Sequence, residues 1–252
     1  MTAFDTFFEG SKNSDNDQDK VPDVGKMRGA ILKRFFSTAT YKKHVAVVGS
    51  GPAGFYLSQQ LLKKKDLNLQ IDIYEKLPVP FGLVRYGVAP DHPDVKNVES
   101  TFTKVAQDDR VRFVGNVSLG QDLKVKELRE AYDAVVLAYG AAKDRTLNIP
   151  GEIAKNVISA RNFVGFYNGL PECANLNLSL DCEHAVIVGL GNVAIDCARV
   201  LLTPVDDLQG TDITEAALEH LSKSRIKRVS LVGRRGPLQV AFTIKVKIRY
   251  FS

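Results

Sequence analysis

Two glycine-rich runs carry the chemistry that residue type and spacing can declare. The first is Gly49-Ser50-Gly51-Pro52-Ala53-Gly54, a G-x-G-x-x-G between an apolar, β-branched stretch at His44–Gly49 and an amphipathic pattern over Phe55–Lys65. At a strand–turn–helix corner, the first glycine makes the turn and the second admits a pyrophosphate against the backbone. The third lets helix pack on strand. The helix N-terminus then offers unpaired N–H groups and the positive end of its dipole. Glu75 ends the next expected strand, Leu69–Tyr74, about twenty residues further on, where a carboxylate accepts hydrogen bonds from an adenosine ribose. The reading is a dinucleotide site for FAD or NAD, held by Gly49, Gly51, Pro52, Ala53, Gly54 and Glu75.

The second run is Gly189-Leu190-Gly191-Asn192-Val193-Ala194, a G-x-G-x-x-A that the same fingerprint permits. No acid follows in the ribose position. Instead, the expected strand Val229–Val232 ends in Gly233-Arg234-Arg235-Gly236. Guanidiniums there suit a 2′-phosphate, because arginine meets phosphate with a planar fork. The second loop, with Gly189, Leu190, Gly191, Asn192, Val193, Arg234 and Arg235, is therefore read as an NADP(H) site. A solvated basic turn is the competing reading for the two arginines. Two sites with different ribose chemistry imply a hydride donor and a separate flavin acceptor.

Elements must position these loops. A long shaped loop is expected at Leu77–Pro93, a helix at Val98–Asp108, a short strand at Arg112–Val114 and a buried strand at Ala134–Ala138. The pattern restarts with a strand at Ala185–Gly189, helices at Asn192–Leu202 and Thr214–Ser224, and a strand at Arg228–Val232. Strands alternating with helices predict an α/β fold with two Rossmann-like nucleotide-binding units. At 252 residues, 44% hydrophobic and 25% charged, the chain is long enough for one large domain or two small ones. Its apolar runs fall far short of a membrane span. A net charge of +5 is too weak to argue for nucleic acid. Cys173, Cys182 and Cys197 form no C-x-x-C, and the four histidines form no ligand pair, so no metal site is expected. The thiols are read as reduced and mostly buried.

The N-terminus changes character within a few dozen residues. Residues 1–26 are acidic and polar, which predicts disorder. Met27–His44, MRGAILKRFFSTATYKKH, is basic, hydroxylated and free of acids, as mitochondrial presequences are. A flexible basic linker is the alternative. Met27 is then expected to be a second start whose product is imported.

The chain resembles the adrenodoxin reductase family, the NADPH:ferredoxin reductases among the glutathione-reductase-like flavoproteins. The runs that carry the resemblance are VAVVGSGPAGFY (45–56), IYEKLPVPFGLVRYGVAPDHPDVKNV (73–98), GLGNVAID (189–196), LLTP (201–204), TDIT (211–214) and VGRRGPLQVAFTIK (232–245). The resemblance implies an FAD domain from 45 to 148 and an NADP domain from 149 to 245, both incomplete at the C-terminus. It also implies FAD contacts at Ala53, Glu75, Leu83 and Leu119, and NADP contacts at Leu190–Val193, Arg234 and Arg235. His92 and Asp196 match a polar pair near the flavin proposed to relay protons. Simple hydrogen bonding by His92 and dipole compensation by Asp196 are the plainer alternatives.

The implied electron acceptor is an acidic two-iron ferredoxin. It is expected to dock on a basic surface drawn from Lys223, Arg225, Lys227, Arg228, Lys245, Lys247 and Arg249. The implied location is the mitochondrial matrix, with peripheral inner-membrane association left open. Residues 246–252 depart from the family pattern, which continues well beyond them. The expectation is thus a truncated form, with a non-catalytic fragment retaining residual nucleotide binding as the alternative. A relative of the glutamate synthase small subunit is a third, weaker reading.

Overall fold

The computed structural model describes residues 41–141 and 144–234. Expectations for residues 1–40, for Arg235 and for the tail from 236 to 252 lie outside the described residues.

Strand β1 (Lys43–Val48) leads through the first glycine loop into helix α1 (Pro52–Leu62), and β2 (Leu69–Tyr74) follows. A single-turn helix, α2 (Leu83–Tyr86), interrupts the segment that the sequence presents as a loop, and a second, α3 (Pro93–Lys96), begins at its last residue. Helix α4 (Val98–Ala106), strand β3 (Val111–Val114), helix α5 (Val125–Ala131) and strand β4 (Ala134–Leu137) complete the first unit. All pairings are parallel, in the order β3-β2-β1-β4. β1 thus lies at the centre, and the chain leaves it toward β2 on one side and returns as β4 on the other. The C-terminal crevice between β1 and β4 is the topological switch point where α/β sheets bind ligands.

Alternation along β1 feeds a core on each side of the sheet, because successive side chains point to opposite faces. Val45 and Val47 join Phe55, Ile71, Ile73 and Phe102, whereas Ala46 and Val48 join Tyr74, Leu128 and Tyr132. The second face also buries a charge. Asp72, 1% exposed, accepts from Arg112 Nε at 3.1 Å and Nη2 at 2.6 Å, and from Tyr132 Oη at 2.5 Å. Buried carboxylates persist only when paired and hydrogen-bonded in this way.

β4 departs from expectation. The sequence reads it as buried, but Leu137 is 48% exposed and Ala134 is also exposed. The physical reason is position: β4 pairs only with β1 among the described residues, so it forms a sheet edge.

The second unit contains α6 (Ala160–Tyr167), a 3₁₀ turn at Pro171–Cys173, β5 (His184–Val188), α7 (Asn192–Leu202), α8 (Val205–Leu208), α9 (Glu215–Ser222) and β6 (Arg228–Val232). β5 and β6 pair in parallel as a two-stranded sheet. Its core joins α6, α7 and α9 through Phe163, Tyr167, Val200 and Leu221. Ser159 and Thr214 cap α6 and α9 with side-chain oxygens, as helix starts favour. Val186, Val188 and Val232 are exposed.

Among the described residues, three ion pairs join the first unit to the second. They are Asp91 with Arg199, Lys96 with Asp212 at 2.5 Å, and Lys76 with Glu172 at 2.6 Å. No helix among the described residues is long and apolar enough to cross a membrane. No group of acids, histidines and cysteines among them could hold a metal ion. All three cysteines are free thiols; Cys173 and Cys197 are buried and Cys182 is partly so.

Candidate functional site

The first loop meets each demand of a phosphate-binding corner. Gly49 has φ of +109°, and a Cβ there would lie 2.5 Å from the Ala138 carbonyl oxygen, at the end of β4. Only glycine suits that conformation and closeness. A Cβ on Gly54 would stand 2.1 Å from the Gly49 carbonyl oxygen, so helix and strand touch through it. Gly51 differs: nothing lies within 4 Å of its notional Cβ. It is the N-cap of α1, and no side chain caps that helix. Ala53, exposed in the first turn, therefore has its N–H free of any side-chain cap. Pro52 opens the helix at a position where its missing N–H costs nothing.

Glu75 follows β2 beside this loop. Its Oε2 accepts from Ser50 N at 3.0 Å and Ser50 Oγ at 2.8 Å, and Oε1 accepts from Leu77 N at 3.1 Å. The carboxylate is thus oriented by the loop itself, with acceptor capacity remaining on Oε1. Ser50, fully buried, is a residue that sequence reasoning passed over as a variable position in the motif.

The segment after Glu75 is pinned onto the same loop. Phe81 N donates to Ser50 O at 3.0 Å, and a Cβ on Gly82 would approach Gly51 Cα to 3.0 Å. Phe81 holds φ of +88°, an unusual state for a non-glycine residue. Its ring packs against Phe55 at 5.2 Å and Phe102 at 6.0 Å. That packing offsets a backbone cost of about 1–3 kcal/mol. Leu83 follows at once, 65% exposed beside the loop. Leu119 is half-buried in the turn after β3, and Val117 N donates to Glu75 O at 2.9 Å, which brings that turn alongside Glu75. The described FAD-side residues therefore gather at one end of the sheet.

The second loop repeats the geometry at the end of β5. Gly189 has φ of +143°, and its N–H donates to Val232 O at 2.8 Å. Gly191 is the N-cap of α7, with nothing within 4 Å of its notional Cβ. Asn192 and Val193 form the first turn of α7, and Val193 is 49% exposed. Gly233 presses against Leu190, whose Cδ1 would be 2.1 Å from a Cβ there. That contact sets Arg234, exposed to solvent, beside the loop.

His92 and Asp196, far apart in sequence, meet through a third residue that the sequence analysis missed. Arg199 Nη2 lies 2.9 Å from Asp196 Oδ1, 2.9 Å from His92 Nδ1 and 2.8 Å from Asp91 Oδ1. Arg199 Nε also donates to Asp91 Oδ2. The available signal was the i,i+3 spacing of Asp196 and Arg199 on one helix face. Burial pushes the Asp91 carboxyl up, but the hydrogen bonds and charge of Arg199 outweigh this and hold it below its ordinary value. Burial, then Cys197 and Asp196, raise the Tyr167 hydroxyl. Burial also lifts the Cys197 thiol to about 12, so it is no nucleophile.

The expected basic surface is largely compensated. Lys223 bonds Glu219 at 2.8 Å, Arg225 bonds Asp181 at 3.0 Å and Lys227 bonds Glu183 at 2.7 Å. Arg228 Nη2 lies 3.1 Å from His184 Nδ1. Lys245, Lys247 and Arg249 lie outside the described residues.

The family model for pyridine nucleotide-disulphide oxidoreductases matches residues 43–234, spanning both loops. The chain belongs to that family. It is 62% identical over 210 residues to the mitochondrial NADPH:adrenodoxin oxidoreductase of Homo sapiens, covering 83% of this chain and 42% of the human protein. The Arabidopsis thaliana protein of the same name is 51% identical over 217 residues, covering 85% of this chain and 45% of its own. Among solved structures, FprA from Mycobacterium tuberculosis in complex with NADPH superposes with a TM-score of 0.79 at 49% identity. That match covers 81% of this chain and 46% of FprA. The chain thus spans somewhat under half the length of these relatives.

Proposed function

We propose that this chain carries the FAD- and NADP(H)-binding machinery of a mitochondrial NADPH:ferredoxin oxidoreductase. The observation that carries the reading is the pair of capless glycine loops, each at the C-terminal end of a parallel sheet, with opposite ribose chemistry beside them. Glu75 stands at the first and Arg234 at the second. FAD fits the first loop: Gly51 leaves room for a pyrophosphate, and Glu75 keeps an acceptor for a ribose hydroxyl. Leu83 supplies an apolar surface nearby, with Leu119 in the turn beside Glu75. NADP(H) fits the second, where Gly191 leaves similar room and Arg234, with Arg235 after it, meets the 2′-phosphate. FAD held there would supply the capacity to take up a hydride and to release electrons singly.

The protein's own groups bind, orient and manage protons. The two helix N-termini would hold phosphates, and His92 and Asp196, gathered around Arg199, would hold or move a proton. The 62%-identical human relative, named for adrenodoxin, supports a ferredoxin as the acceptor and a mitochondrial location. Matrix residence and contact with the inner membrane extend this reading, as does docking through a basic surface. A division of the chain near residue 148 is part of the same proposal; two separate sheets, ending at Leu137 and restarting at His184, support it.

The visible spectrum of the purified chain with added FAD tests the proposal. Flavin bands that bleach with NADPH, and bleach far less with NADH, are expected. A chain that never takes up FAD would overturn it.

A further inference from the structure

Arg199 draws together groups from two elements, and its hydrogens do not suffice for them. It lies one turn beyond Asp196 on α7 and reaches across to the segment that carries Asp91 and His92. Its side chain is 17% exposed. Nε and one Nη2 hydrogen form a planar fork with the two oxygens of Asp91. One hydrogen remains on Nη2, and two acceptors stand 2.9 Å away: Asp196 Oδ1 and His92 Nδ1. A guanidinium nitrogen accepts nothing, so it can satisfy only one of them. Nη1 does not share the load; it is buried and has no partner among the described residues.

The state of His92 decides the contest. Its Nδ1 also lies 3.0 Å from Asp91 Oδ1. With a proton on Nδ1, the ring donates to Asp91, and the spare Arg199 hydrogen belongs to Asp196. With Nδ1 bare, two lone pairs oppose each other unless Arg199 turns that hydrogen to the ring, and Asp196 is then released. The other titratable groups near the cluster are Tyr167 on α6 and Cys197 on α7. Burial raises both, so neither adds charge near neutral pH.

We propose that Arg199 is a positioning residue that couples the proton on His92 to its own hold on Asp196. A proton lost from the ring frees the carboxylate on the NADP-side helix, and a proton gained locks it. The coupling deepens the relay reading above and rests on it. It passes between the two nucleotide units through one guanidinium.

The test follows His92 by nitrogen-15 NMR in the full FAD-loaded chain across pH. In the unsubstituted protein the neutral ring should carry its proton on Nε2, with Nδ1 accepting from Arg199. A neutral ring protonated on Nδ1 would overturn the proposal, and this measurement needs no variant. Asp196→Asn should lower the proton affinity of His92 about tenfold, one unit of midpoint, because an uncharged amide oxygen competes less well for the contested hydrogen. In an Arg199→Lys background, which keeps the cation but lacks the fork, the same substitution should shift it less than about threefold. Equal shifts in both backgrounds would refute the coupling. The relay reading fails separately: His92→Gln with an unchanged pH profile of flavin reduction would remove it while leaving the NMR coupling intact.

Discussion

Alanine at Gly54 and at Gly51 should separate two roles that one motif combines. At Gly54 the added carbon would lie 2.1 Å from the Gly49 carbonyl oxygen and 3.3 Å from Val47 Cγ1. Comfortable contact is about 3.5 Å, so the Gly49 and Gly54 backbones must move apart by more than an ångström in total. Overpacking of this kind costs about 1–3 kcal/mol, and two unyielding backbones place it at the upper end. For a chain of this size each kcal/mol lowers the melting temperature by about 2–4 °C, so about 2–3 kcal/mol gives a loss of about 4–12 °C. At Gly51 the backbone has φ of −77°, open to any residue, and the methyl meets nothing within 4 Å. Alanine there should leave the nucleotide-free fold unchanged, or steadier by up to about 1 kcal/mol through the unfolded state. The same methyl stands before the N-terminus of α1, in the path of the phosphates. FAD affinity should fall at least tenfold, or about 1.4 kcal/mol. Thermal unfolding followed by circular dichroism without FAD, and titration of flavin fluorescence, read the two effects separately. A Gly51→Ala chain that melts early yet binds FAD normally would refute the reasoning, as would a Gly54→Ala chain with native stability.

Arg234→Ala should raise the KM for NADPH roughly tenfold to a hundredfold, the worth of a charge-assisted hydrogen bond at about 1.5–3 kcal/mol, while the KM for NADH barely moves; steady-state kinetics with both nucleotides checks this. Tyr132→Phe removes one donor from the buried Asp72 and should cost about 1–3 kcal/mol, read as a lower urea midpoint with an unchanged slope. The Asp91 carboxyl is held below its ordinary 3.8 in the folded chain, so its contribution is complete above that value and lost as pH falls through the lowered one. Asp91→Asn should therefore flatten the acid limb of a stability-versus-pH curve below about pH 4. Under native conditions a thiol-alkylating reagent should modify Cys182 first and leave Cys197 untouched, as peptide mass mapping would reveal.

The glycine loops were legible because their requirements are local. Leu69–Tyr74, Asn192–Leu202 and Arg228–Val232 fall where periodicity puts them, since each carries its own apolar spacing. Helix α6 was not legible. Its sequence, ARNFVGFY, holds a glycine and three aromatics, poor helix formers by intrinsic propensity. The glycine is there for a neighbour: a Cβ at Gly165 would lie 2.7 Å from Cys173 Sγ. Tertiary packing overrides propensity at that point. The edge position of β4 was equally hidden, because AVVLA reads alike in the middle of a sheet and at its rim. At the site, Glu75 and Arg234 could be placed by counting from the glycines. Arg199 could not, since its meaning depends on Asp91 arriving from another element.

The three ion pairs between the units also bear on how the chain comes apart. Lys76 and Glu172 are both about half exposed and Asp212 is 55% exposed, whereas Lys96 and Arg199 lie well sheltered. A seam of charges behaves unlike a seam of methyl groups: dissolved salt loosens it, while the two cores gain nothing from the loosening. Ionic strength is thus a selective solvent for this joint. In dilute buffer the two sheets should melt as one cooperative block. At high salt a calorimetric trace should broaden toward two events, and the balance between joint and core becomes something an experimenter can set with sodium chloride.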